Sequence, residues 1–216
     1  VERFGLGDWN GYFRLLKALP ENSVGLGRIQ LRAGKIAEAV ETLRAATAGD
    51  AGNGAGHYLL GVAWLEHGEA AKAEPCFAAA IAAESPFPQA HYFLALNRLH
   101  EDRAEEARAE LDRLLDAIPD HWDGRLLRGW LLGQQAPTRA EGLRELQDMA
   151  DMDPADIRVQ AALNEVATLA GESELARSAA EAFRELVQGP GIWRRVREWR
   201  AATHGIYKPP RRRDLP

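Results

Sequence analysis

Small residues recur along this chain at a nearly constant interval, and that spacing limits the possible folds more than any other feature. Alanine or glycine occupies one equivalent position in each of five helical patterns, with gaps of 34, 34, 35 and 34 residues: Ala39, Ala73, Ala107, Gly142 and Ala176. A turn-forming residue stands five positions before each of them: Gly34, Gly68, Asp102, Pro137 and Gly171. Because two classes of residue share one period, we predict a tandem array of helical hairpins.

Each unit of the array has the spacing of two amphipathic helices. Four residues after the small residue comes a further member of the same helical face: Leu43, Phe77, Leu111, Leu146 or Ala180. The helix before each turn carries a large residue followed by a small or polar one: Leu26-Gly27, Leu60-Gly61, Leu94-Ala95 and Leu163-Asn164. A small side chain lets two helices approach closely, so we expect the helices to nest at these positions. The fourth unit has one additional residue and Pro137 at its turn, which leaves the register of its first helix open.

This pattern resembles the tetratricopeptide repeat family, whose 34-residue unit has a Leu-Gly pair in its first helix and a small residue in its second. The clearest copies begin at His57-Tyr58-Leu59-Leu60-Gly61 and at His91-Tyr92-Phe93-Leu94-Ala95. The resemblance implies an all-α, right-handed solenoid of about five helix-turn-helix repeats. It places them at residues 20–53, 54–87, 88–121, 122–156 and 157–190, which together form a repeat domain over 20–190.

The two ends of the chain differ from the repeats. Residues 1–19 contain a helical pattern without a partner helix, which we interpret as part of a truncated repeat or as a surface for a homodimer. Residues 191–203 have the apolar stripe of a C-terminal capping helix. Residues 204–216 are a basic Pro/Arg-rich tail or linker.

Charge is unevenly distributed between the body and that end. Residues 191–216 hold eight basic and two acidic residues, a net charge of +6, whereas the whole chain has −5, so residues 1–190 have −11. A solubilising cap and linker explains the basic end, and binding of an anionic surface or nucleic acid is the alternative. The acidic body argues against nucleic acid as the partner.

The composition of the chain indicates the cellular compartment in which we expect it. Cys76 is the single cysteine, so no internal disulfide can form, and a reducing cytoplasm suits the chain. The longest apolar runs are too short for the roughly 20 residues of a membrane span, and no signal sequence opens the chain. Arginine outnumbers lysine, as is typical of a bacterial source with a GC-rich genome. The chain begins with Val1 rather than Met, which is consistent with a longer parent protein.

The reactive residue types form no catalytic pattern, so we expect neither an enzyme nor a site for a cofactor or metal. His57 and His91 occupy equivalent repeat positions, which favours packing over metal ligation. Four glycines between 49 and 56 lack the strand and the Lys-Ser or Lys-Thr of a phosphate-binding loop. The carboxylates of residues 105–112 indicate a solvated helix face.

A solenoid exposes its first helices along a concave groove, and function in such a fold is usually binding. Carried over position by position, the resemblance implies that the groove is lined by Arg28, Leu31, Arg32, Tyr58, Val62, Leu65, Glu66, Tyr92, Leu96, Leu99 and His100. Tyr58 and Tyr92 are candidate anchors for a partner, and packing between repeats is an equally good explanation of both. The Lys and Asn clamp that grips chaperone tails is replaced here by Tyr58 with Val62 and by Tyr92 with Leu96.

The sequence therefore predicts a protein-interaction module, a scaffold or adaptor, that binds a peptide or protein in its groove. An accessory or dimerisation domain of a larger enzyme is the alternative. In that case the partner is another domain of the same parent protein.

Overall fold

In a computed structural model, which describes residues 23–84 and 86–188, the chain is all α-helical. Ten helices and no strand occur among these residues: α1 Ser23–Arg32, α2 Ile36–Gly49, α3 Gly54–Glu66, α4 Ala70–Ala82, α5 Ala90–His100, α6 Ala104–Ala117, α7 Trp122–Gln134, α8 Arg139–Met152, α9 Ile157–Ala170 and α10 Ser173–Gln188. They alternate between first helices (α1, α3, α5, α7, α9) and second helices (α2, α4, α6, α8, α10). The predicted all-α fold of helix-turn-helix repeats is confirmed.

The chain divides into two compact units, residues 1–94 and 95–216, and the division falls within α5. In the first unit α1 packs against α2, α3 packs against both α2 and α4, and the first helices α1 and α3 also touch. In the second unit α7 packs against α6 and α8, α9 packs against α8 and α10, and the first helices α7 and α9 are in contact. Each unit therefore has hairpins layered side by side, with its first helices adjacent.

In the first unit, the recurring small residues lie where the two helices of a hairpin cross. Ala39 and Ala73 are 0% and 1% exposed. Opposite them, a methyl group placed on Gly27 would lie 2.4 Å from Cγ of Leu43, and one on Gly61 would lie 2.6 Å from Cε1 of Phe77. Because the glycines have no side chain, the large residues of the second helices fill that space.

The second unit repeats this arrangement and fixes the register that the sequence left open. Ala107 and Ala176 are buried, and a methyl group on Gly129 would lie 3.2 Å from Cγ of Leu146. Gly129 is thus the fourth-repeat equivalent of Gly27 and Gly61. In the fifth repeat the same position holds Asn164, whose side-chain amide donates a 2.7 Å hydrogen bond to the carbonyl oxygen of Ala176 on α10.

Four of the five predicted turn residues adopt the left-handed conformation that ends a helix: Gly34, Gly68, Asp102 and Gly171, with φ of 70°, 86°, 58° and 78°. The fourth turn is different, because proline cannot adopt a positive φ. There Thr138 Oγ1 donates to the carbonyl oxygen of Leu132 at 2.9 Å, and Arg139 Nε donates to that of Gly133 at 2.9 Å. Side-chain hydrogen bonds thus satisfy carbonyl groups at the end of α7, where the other hairpins have a turn residue with positive φ.

The predicted N-terminal helix within 1–19, the capping helix at 191–203 and the basic tail at 204–216 lie outside the described residues. The described residues form five successive hairpins, α1–α2, α3–α4, α5–α6, α7–α8 and α9–α10.

Candidate functional site

The candidate site in the first unit is the face of α1 and α3 that points away from the helix crossings. Helical spacing places six of the predicted groove residues there, and we call them the first-helix face: Arg28, Leu31, Arg32, Val62, Leu65 and Glu66. The three aliphatic residues are half-buried, and the three charged residues are exposed. Leu31 also packs against the core built around Leu43 and Leu60. The face thus combines three half-buried aliphatic side chains with three exposed charged ones.

Tyr58, a predicted anchor, packs into an aromatic cluster of the first unit. Its ring centroid lies 4.6 Å from that of Phe87, 5.6 Å from that of Phe93 and 6.1 Å from that of Phe77. Phe77 and Phe93 stack on each other at 4.9 Å. Burial raises the pKa of the Tyr58 hydroxyl to about 12, so the side chain stays neutral at physiological pH. Tyr58 contributes to packing between the second and third hairpins, although it remains half-buried rather than enclosed.

Tyr92 and Leu96 are more deeply enclosed than the groove assignment implies. Tyr92 is 7% exposed and its ring meets Phe93 edge to face, and Leu96 is 4% exposed. At these two positions the structure favours packing, and little side-chain surface is left for a partner. Leu99 and His100 are half-buried and exposed, and both lie in the second unit.

The equivalent positions of α7 and α9, in the second unit, are already bonded to one another. Trp130 Nε1 donates to Glu165 at 3.1 Å, and Gln134 Nε2 donates to the same carboxylate at 2.8 Å. Trp130 is the repeat equivalent of Arg28, and Gln134 is the equivalent of Arg32. Glu165 follows Trp130 by one repeat, as Val62 follows Arg28. At these repeat positions the second unit forms internal hydrogen bonds, whereas the first unit has two arginines and a valine.

Two further ion networks of the second unit lie beside its first helices. Arg128 donates two hydrogen bonds, of 3.1 and 3.0 Å, to the buried carboxylate of Glu145, and it also pairs with Asp112. Burial lowers the pKa of Arg128, but the hydrogen bonds and charge of Glu145, together with Asp112, outweigh it and raise the pKa. The Arg128 guanidinium is therefore fixed by these contacts and has a structural role.

A second network joins α7 to the start of α9. Arg158 pairs with Asp123 at 2.5 Å and with Asp156 at 2.6 Å, and Asp156 also accepts a 2.8 Å hydrogen bond from Trp122 Nε1. Neither network could be predicted from the sequence, because the partners that join different helices lie 16 to 35 residues apart and no short motif marks them.

The candidate catalytic groups have structural roles where the structure describes them. Burial raises the pKa of the Cys76 thiol, which donates to the carbonyl oxygen of Lys72, so the reactive thiolate is disfavoured. The carboxylates of α6 pair with arginines, as Glu106 does with Arg103 and Glu110 with Arg113. No cluster of three or more His, Cys, Asp or Glu side chains within residues 23–84 and 86–188 is arranged to bind a metal ion.

Within the same residues, no helix combines the length and apolar character that a bilayer crossing requires.

Comparison with known families and structures agrees with this architecture. The family model described as tetratricopeptide repeat matches residues 24–87 and 65–121. No curated protein sequence matches the chain.

Several solved structures share the fold. PilF of Pseudomonas aeruginosa matches at 16% identity and a TM-score of 0.65, over 87% of this chain and 91% of its own. YrrB, described as a TPR protein with an unusual peptide-binding site, matches at 14% identity and 0.65, over 84% and 96%. A MamA RS-1 double mutant matches at 19% identity and 0.65, over 77% and 93%. At these identities the likeness shows the fold alone.

Proposed function

Since residues 24–121 match the family model described as tetratricopeptide repeat, we propose that the chain is a non-catalytic interaction module that binds a peptide or protein partner. The binding surface we propose is the first-helix face of α1 and α3, the part of the predicted groove that the first unit leaves accessible. Tyr58 and Tyr92 are not part of this surface in the proposal, because both rings pack against phenylalanines.

One observation carries this proposal. On the first-helix face, the aliphatic side chains of Leu31, Val62 and Leu65 are half-buried, and helical spacing places them on the same side of α1 and α3 as three exposed charged residues. An apolar centre inside a polar rim is the usual composition of a binding interface. The second unit differs at these positions, because Trp130 and Gln134 both donate hydrogen bonds to the carboxylate of Glu165.

The structural comparison is consistent with this role. YrrB shares the fold and is described as having a peptide-binding site. Paired first helices supply a shallow trough into which an extended or helical peptide can place one or two side chains.

The test is a selection of random twelve-residue peptides, displayed on phage, against the immobilised chain. We expect selected peptides to bind the wild type and to bind the Leu65→Lys variant at least tenfold more weakly, because a charge replaces an aliphatic contact at the centre of the face. Leu169→Lys is the matched control, since Leu169 is 45% exposed on α9 in the second unit. Circular dichroism verifies that both variants keep the helicity of the wild type.

Failure to enrich any peptide would contradict the proposal. So would selected peptides whose affinity falls with Leu169→Lys and not with Leu65→Lys, because the binding surface would then lie in the second unit.

A further inference from the structure

We propose that the first-helix face selects acidic peptides, with carboxylates on alternate residues and aliphatic side chains between them. This inference rests on the proposed function and specifies the chemistry of the partner.

The arginines of α1 differ from nearly all others in the described residues. Eleven of the fourteen arginines there bond to a carboxylate or to a backbone carbonyl. Arg28, Arg32 and Arg184 have no such partner among the described residues, and all three are exposed. A cation in the last turn of a helix is favoured by the helix dipole, which accounts for Arg32 but not for Arg28 in the middle of α1.

The repeat itself shows what these two arginines lack. In the second unit, the donors at the equivalent positions, Trp130 and Gln134, share the carboxylate of Glu165 on the next first helix. In the first unit, the position equivalent to Glu165 holds Val62, which can accept no hydrogen bond. In the first unit the two arginines therefore lack the carboxylate that the second unit supplies from within the fold. A carboxylate of a bound partner could take that place and pair with both guanidinium groups.

The distance between the two arginines determines which spacing of acidic residues a partner peptide needs. Arg28 and Arg32 are one helical turn apart, about 6 Å along the axis. Alternate residues of an extended peptide are about 6.6 Å apart and point to the same side. Acids at alternate positions of a peptide that lies between the two helices thus match the two guanidinium groups along α1. The aliphatic side chains between the acids then point the other way, toward Val62 and Leu65 on α3.

The apolar part of the face excludes a purely electrostatic ligand. Leu31 lies between the two arginines on α1, and Leu65 and Val62 continue the apolar surface on α3. A nucleic-acid backbone offers no aliphatic group for this surface. Glu66 at the edge of the face further disfavours a ligand with charge alone.

The test is fluorescence anisotropy of the full chain with a labelled twelve-residue peptide that alternates aspartate and leucine. We expect binding that weakens about tenfold or more in the Arg28→Glu/Arg32→Glu double variant, because two attractive ion pairs become repulsive. We also expect the double variant to gain affinity for a peptide that alternates lysine and leucine. Arg184→Glu is the matched control and leaves the affinity unchanged, since Arg184 is an exposed arginine of α10.

Three results would overturn the inference. They are equal affinity of the wild type and the double variant for the acidic peptide, no binding of that peptide by the wild type, and equal competition by a twelve-nucleotide polyuridine. If peptides from the random library still depend on Leu65 while the arginine reversal changes nothing, the charge selection fails and the proposed function stands.

Discussion

A single residue position, directly before the first helix, is used for the same purpose in three repeats although its side chain changes. Asn53 accepts a hydrogen bond from the backbone N–H of Gly56, His121 Nδ1 accepts from that of Gly124, and Asp156 accepts from that of Arg158. Each side chain satisfies a backbone donor that a helix start leaves free. Asn and Asp are common caps, so sequence could have suggested two of them. His121 gives no comparable signal.

Asp156 combines this capping role with an ion pair, and its titration should be visible in folding stability. Burial raises its pKa, but hydrogen bonds and charge from Arg158, with a hydrogen bond from Trp122, outweigh burial and hold the pKa below its usual range. The carboxylate therefore stabilises the fold at neutral pH. That contribution persists above the unfolded-state pKa of about 3.9 and is lost as the pH falls through the lower folded-state value.

We expect Asp156→Asn, which keeps a capping oxygen but loses the charge, to lower the free energy of unfolding at pH 7 by about 1 kcal/mol. The difference from wild type should shrink as the pH falls below about 3.9. Urea unfolding at pH 7 and pH 3 measures it, with Asp151→Asn, an exposed acid of α8, as the control. A difference that is the same at both pH values would mean that the ion pair contributes nothing.

The roles of the two tyrosines could not be predicted from their own sequence positions. Sequence placed Tyr58 and Tyr92 at equivalent positions and left binding and packing as alternatives. Phe77, Phe87 and Phe93 gather around Tyr58, and Tyr92 is buried against Phe93, which favours packing. Whether a tyrosine meets solvent or a neighbouring ring depends on side chains one repeat away, and repeat position alone does not supply that information.

At the scale of the helix, the hairpin follows from the sequence because its two constraints are local. A small residue in each helix permits a close crossing, and a residue that tolerates positive φ ends the first helix. These two rules predict the turns of four hairpins, and the fourth hairpin is the exception. In that hairpin Thr138 and Arg139 close the turn through side-chain hydrogen bonds that no turn rule describes.

The fourth hairpin also has the closest backbone approach. A methyl group on Gly142 would lie 2.4 Å from the carbonyl oxygen of Gly129 and 2.5 Å from the amide nitrogen of Gly133. The equivalent positions Ala39, Ala73 and Ala107 accommodate that methyl group. Helices α7 and α8 are therefore nearer to each other than a side chain allows.

We expect Gly142→Ala to lower the free energy of unfolding by about 1–3 kcal/mol, although alanine has the higher helix propensity, because the backbone of α7 must move. Gly129→Ala is the matched control, since its methyl group would meet the Leu146 side chain at 3.2 Å, which a small rotation relieves. Its effect should be close to zero. Urea denaturation compares them, and a Gly142→Ala protein as stable as wild type would contradict the proposed close approach.

At the scale of the whole chain, the 34-residue period was sufficient to predict an all-helical array of hairpins, and both the family match and the shared fold agree. The difference between the two units was not predictable in the same way. The same groove positions carry arginines and valine in one unit, and tryptophan, glutamine and glutamate in the other. Only the contacts between neighbouring first helices reveal that one set is bonded internally and the other is open.

The most direct test of the proposed binding surface is a chemical-shift map of the ¹⁵N-labelled full chain during titration with a peptide from the random library. We expect the largest amide shifts on α1 and α3, at and around Arg28, Leu31 and Leu65. The matching residues of α7 and α9, Trp130 and Glu165, should change little. Shifts concentrated on α7 and α9, or spread along the second helices, would contradict the claim that the first-helix face is the binding surface.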